Sequence, residues 1–100
     1  MGGITGMMRC AALAQAHGAE FVSHQTQPTI GHMASLHLVA TQLHATKPCG
    51  LNNPSPRMHA VFSNPPRPVD GLFRLPTTPG LGLEINGAAL AQRRVELPGA

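Results

Sequence analysis

A helical pattern that stops at Gly18 is followed with no linker by the short apolar run AEFVSH, residues 19–24, and a second helical pattern starts after Pro28. Helix, strand and helix joined this tightly set the rhythm of a parallel α/β fold, in which strands are buried under layers of helix. The run ends on two polar residues, Ser23 and His24. A strand that is apolar along its length and closes on an imidazole raises a functional question.

The individual elements follow from spacing and punctuation. Thr5 is a suitable N-cap, residues 6–17 are rich in good helix formers, and Gly18 supplies a C-terminal stop. Met7, Cys10, Leu13, Ala14 and His17 recur at spacings of three and four, which predicts a buried stripe with Arg9 and Gln15 off it. The second helix is predicted over 29–44, with Ile30, Met33, Leu36, His37, Ala40 and Leu43 as its apolar face. Most of the ten prolines and eleven glycines lie after residue 47, so the second half has room only for short elements. NNPSP and NPPRP break the backbone between 48 and 68, leaving Ala60, Val61 and Phe62 as the one strand candidate there. VDGLFRL and LGLEI read as extended pieces joined by PTTPG, and Asn86 caps a last helix over 87–94.

Composition narrows the classes. The apolar share of 42% is typical of a globular chain, but it is alanine-heavy, with three Phe and neither Trp nor Tyr, which predicts a thin core. The net charge of +3 reflects a shortage of acids, with seven Lys and Arg scattered from Arg9 to Arg94 against four Asp and Glu. Nucleic-acid binding calls for a basic stripe interleaved with stacking aromatics, so no nucleic-acid partner is expected. No apolar run reaches the ~18 residues that cross a bilayer, and no basic-then-apolar signal opens the chain. A cytosolic protein without a membrane partner is the expectation.

Other reactive residues carry weaker signals. Cys10 and Cys49 show no C-x-x-C spacing and read as reduced thiols, Cys10 as a small core residue. His32, His37 and His44 lie along the second helix. Zinc ligands on a helix favour i, i+4, and no Cys or acid completes a set, so these read as structural or surface histidines. Gly80 and Gly82 in PGLG precede no phosphate-loop signature and read as a tight turn.

Two stretches, GGITGMMRCAALAQAHGAEFVSH and VDGLFRLPTTPGLGLEINGAALAQRR, frame nearly the whole chain. The first joins GGIT, a helix of pattern AALAxAxG and a strand ending in SH; the second joins a DG turn, a strand ending in LP, and PGLG. In this order they resemble the closing segments of the mandelate racemase and muconate lactonizing enzyme branch of the enolase superfamily, in particular its acid-sugar dehydratases. The resemblance implies an α/β fold, the C-terminal part of a (β/α)7β barrel, with a loop-rich tail that joins a capping domain. Residues 1–51 would run from helix six to strand eight, the latter near 47–51, and residues 52–100 would form the tail. Such a piece is incomplete as a stand-alone fold.

Active sites of these barrels lie at the C-terminal ends of the strands, where the resemblance places His24 at the end of strand seven. In the family a histidine there is a general base that takes the proton next to a carboxylate. An imidazole suits the task because its unperturbed pKa of ~6.5 is close to neutral pH. The resemblance further implies Mg²⁺ in the full-length parent, a small-molecule carboxylate substrate such as a sugar acid or 2-hydroxy acid, and a homo-oligomeric assembly. Of this chain's acids, Glu20, Asp70, Glu84 and Glu96 are widely spaced, so no metal site and no cofactor are expected for these residues alone, and the isolated chain is expected to be inactive. The strand-eight neighbourhood, TKPCGLNNP, departs from the family by carrying no acid where many relatives have a glutamate. Taken without the resemblance, His24 is a residue that caps a strand, and a small non-enzymatic or degenerate chain is the alternative reading.

Overall fold

The computed structural model describes residues 2–25, 30–42, 50–51 and 56–93. Their elements are, in chain order, α1 (Gly3–Ala16), β1 (His24–Gln25), α2 (Ile30–Ala40), β2 (Gly50–Leu51), α3 (Pro56–His59) and α4 (Gly87–Ala91). The predicted helix, strand, helix order is present, with shifted boundaries.

α1 starts before Thr5. Gly2 occupies the N-cap position at φ 69° with no side-chain cap bond, so Thr5 lies inside the first turn. The other end closes as predicted, at Gly18. The Ala19 amide donates to Ala14 O at 2.8 Å and the Gly18 amide to Gln15 O at 3.0 Å, the paired bonds of a Schellman motif. The predicted stripe is wrong in its details: Ala11 is the buried residue of α1, while Cys10 is exposed and Leu13 is 63% exposed. Periodicity marks the face a helix can bury, but burial needs a covering layer, and on α1 that layer is thin.

The predicted strand over 19–24 is observed as β1, His24–Gln25, which pairs in parallel with β2 in the register His24↔Gly50 and Gln25↔Leu51. The ladder therefore begins where the predicted strand ended. A strand is defined by its partner, and residues 43–49, which precede β2 and include most of predicted strand eight, lie outside the described residues. The approach to β1 still alternates: Phe21 is half-buried, Val22 exposed, Ser23 buried and His24 exposed. That is the period-two burial of an extended segment covered on one face.

α2 carries the core. Met33 and Leu36 are buried, with Val39, Phe73, Leu75, Leu81 and Leu83 packed against them, so the tail lies back over this helix. The observed face is broader than the predicted one. It takes in His32, Ser35 and Leu38, whereas Ile30 and Ala40 are exposed. The last predicted turn of this helix, from residue 43, and Cys49 lie outside the described residues.

The tail is held by few but specific bonds. Phe62, buried, bridges Ile85 in antiparallel fashion, supported by Ser63 N to Glu84 O and Asn86 N to Val61 O, both 2.9 Å. The predicted strand at Ala60–Phe62 is thus a single bridge. Val69 and Leu72 exchange both backbone bonds across Asp70 and Gly71, which have φ of 51° and 77°, the left-handed pair that a two-residue turn requires. The Asn86 side chain caps α4 by accepting from Ala89 N at 3.2 Å. α4 ends at Ala91 rather than near 94, and the Arg93 guanidinium donates to Ala89 O at 2.8 Å over its last turn. No helix among the described residues is long and apolar enough to cross a membrane.

Candidate functional site

Local alternation decides what β1 presents. Ser23 is 1% exposed and His24 is exposed, so neighbouring side chains of one extended segment face opposite environments. Burial of Ser23 on the covered side leaves the His24 imidazole on the open side, at the first rung of the parallel ladder. An imidazole placed there can accept or donate a proton without first being uncovered.

The buried side of the segment is polar and incompletely paired. Ser23 Oγ has no hydrogen-bond partner, and neither has Nδ1 or Nε2 of His32. His32 is fully buried in α2 and stands edge-on to the ring of Phe73, with ring centroids 5.2 Å apart and planes at 88°. Burial holds its pKa below the ordinary histidine value, because the charged form would have to leave water. His37 is half-buried, and its Nδ1 lies 3.0 Å from Met33 O one turn earlier. These two agree with the structural role read from the sequence, and His44 lies outside the described residues. His59, near the tail, has an unpaired Nε2; its pKa is lowered by burial and then by the Arg67 guanidinium. Spacing alone did not separate His32, an unpaired core group, from its neighbours on the same helix.

Of the acids, Glu20, Asp70 and Glu84 are all exposed, and Glu96 lies outside the described residues. Among the described residues, no three His, Cys, Asp or Glu side chains form a group that could hold a metal ion. Magnesium takes several hard oxygen ligands in near-octahedral array, so these residues do not fit that ion.

The turn geometry of the tail agrees with the second motif. Gly80 and Gly82 have φ of 74° and 67°. The Asn64 side chain ties this turn to its neighbour, its Nδ2 donating to Gly82 O and its Oδ1 accepting from Glu84 N, both at 2.8 Å. The family model described as "Enolase C-terminal domain-like" matches residues 1–89. The chain belongs to this family. Within it, the L-rhamnonate dehydratase of Saccharopolyspora erythraea is 35% identical over 91 residues, covering 85% of this chain and 22% of the relative. The D-galactarolactone cycloisomerase of Agrobacterium fabrum is 31% identical over 107 residues, covering 97% of this chain and 28% of the relative. A crystal structure of a mandelate racemase/muconate lactonizing protein from Paracoccus denitrificans superposes with a TM-score of 0.82 at 54% identity, over 92% of this chain and 25% of that one. A second structure of that protein, complexed with magnesium, matches equally well.

The enolase-type fold class read from the two motifs therefore holds: an α/β chain that is the C-terminal part of a barrel with its tail. The chain spans between about a fifth and somewhat more than a quarter of the length of the relatives it matches. Dehydratases and mandelate racemase-like proteins are its company, and the relatives' names divide between loss of water and cycloisomerisation.

Proposed function

We propose that this chain supplies the segment from helix six to strand eight to an enzyme that removes the proton next to the carboxylate of a sugar acid or related 2-hydroxy acid, with His24 as the general base. In this reading residues 1–51 are the barrel part and residues 52–100 the tail. The observation that carries it is the opposed burial of Ser23 and His24, which leaves the imidazole on the open face of the segment at its ladder with β2. Family membership supplies the chemistry to which such an imidazole is suited.

His24 in its neutral form accepts the proton through a ring nitrogen, and the electron pair of the broken C–H bond passes into the carboxylate as an enediolate. A dehydratase then expels a β-hydroxyl, which leaves as water with the proton that His24 took; a racemase returns a proton to the other face. Magnesium, named for the Paracoccus denitrificans structure, would supply positive charge for the enediolate in the whole enzyme. The described residues here do not hold it, so the ligands belong to other residues of that enzyme, and these 100 residues alone are inactive.

The test uses a chimera in which this chain replaces the matching quarter of the Paracoccus denitrificans protein. Incubated with magnesium and a panel of sugar acids, the chimera is expected to form a dehydrated or racemised product that the 100-residue chain does not form. Turnover by the isolated chain, or none by the chimera on any acid that the unmodified protein uses, would overturn the proposal.

A further inference from the structure

A cleft of about 310 Å³ opens between α2 and the tail, and His24 is not among its lining residues. Its floor is apolar, built from Met33, Leu36, Phe73 and Leu83, while Arg67 and Arg74 stand at its edge. Both arginines are exposed, and neither forms an ion pair among the described residues. Among the described residues no acid lines the cleft; Glu84, next to Leu83 in the chain, is outside the lining. The walls are fixed in advance, since Asn64 spends its amide on Gly82 O and Glu84 N at 2.8 Å each. Gly82 is packed so closely on Pro76 that even a Cβ would collide.

Charge decides what can enter. Two exposed guanidinium groups at the mouth give the cleft a positive field, which favours an occupant that carries an anion. A neutral or cationic occupant is therefore disfavoured, and a guanidinium fork matches the two oxygens of a carboxylate. The volume falls at the small end of the ~300–1,000 Å³ range of ligand pockets. We infer that this cleft binds an amphipathic monocarboxylate, its head at the arginine-lined edge and its apolar body on Met33, Leu36 and Phe73. The site is separate from the proposed base and does not rest on the chemistry assigned to His24.

Octanoate is the probe, titrated into the chimera, with binding followed by NMR of the arginine side chains. Saturable binding is expected. Arg67→Gln and Arg74→Gln should each weaken it about tenfold, the equivalent of ~1.4 kcal/mol, whereas Arg9→Gln on α1 should leave it unchanged. Burial lowers the His59 pKa and the Arg67 guanidinium lowers it further, so an anion bound at Arg67 should also move the His59 ring signals towards a higher pKa. Circular dichroism checks that each variant keeps its helices. Equal binding of octanol or octylamine, octanoate binding by the double Arg variant within about twofold of the parent, or no saturable binding by the chimera would overturn the inference.

Discussion

The ring of His32 stands edge-on to the ring of Phe73, 5.2 Å away, and joins α2 to the tail through a buried imidazole with both nitrogens unpaired. This contact makes the α2–tail interface sensitive to pH. In the folded chain burial holds the His32 pKa below its ordinary value, whereas in the unfolded chain the ring titrates near ~6.5. Below that pH the unfolded state takes up a proton that the folded state refuses, so the stabilisation is full above pH ~6.5 and is lost on acidification. His59 shifts in the same direction and adds to the slope. Thermal melts of the chimera between pH 7.5 and 5 should show Tm falling with pH, and His32→Leu should flatten the curve. An unchanged slope in that variant would remove His32 from the account.

Gly82 is where the tail is least tolerant of change. Its φ of 67° is left-handed, and a Cβ would collide with the ring of Pro76. Gly82→Ala should cost about 2 kcal/mol or more, the strain of the backbone adding to the displacement of Pro76. Gly87, with nothing near an added Cβ and no positive φ, is the control site, and Gly87→Ala should change little. The comparison is read as the difference in Tm between the two chimera variants.

How far these features could be read from the chain depended on what defined them. Local backbone chemistry was legible: Gly18 closes α1, Asn86 caps α4, and the Asp70–Gly71 pair makes the turn that its residue types require. Burial was less so. Leu13 fits the apolar stripe of α1 yet is 63% exposed, because periodicity cannot say what stands opposite. Ser35 and His32 break the apolar pattern of α2 yet are buried, since that helix is covered on more than one side. The role proposed for His24 came from the resemblance and not from its place after the run, and its separation from Ser23 across the segment is a property of the folded chain. The arginine cleft had no sequence signal, because Arg67 and Arg74 come to line one cleft with α2 only through the fold of the tail.

These 100 residues alone should not melt cooperatively. Leu13, Val22, Ile30, Val69, Leu72 and Ile85 are exposed apolar side chains, and Ser23, His32 and His59 carry buried unpaired atoms worth about 1–3 kcal/mol each against folding. The radius of gyration of 15.5 Å exceeds the ~13 Å of a compact chain of this length. Small domains hold only ~5–15 kcal/mol of stability, so such losses are decisive. Urea titration followed by circular dichroism should give a shallow, featureless decline. A sharp two-state transition with a flat native baseline would show a self-sufficient domain.

The central claim, that His24 is the base, is tested most directly by proton exchange. The chimera is incubated in deuterium oxide with magnesium and the sugar acid it turns over, and loss of the proton next to the carboxylate is followed by NMR. His24→Asn keeps a polar side chain of similar reach but removes the titrating nitrogen, and should slow exchange by at least about a hundredfold, within the ~10²–10⁴ range of general-base catalysis. Helical content and magnesium affinity should stay as they were. Exchange at the unaltered rate in the His24→Asn chimera would contradict the assignment and return His24 to a structural role at the start of β1.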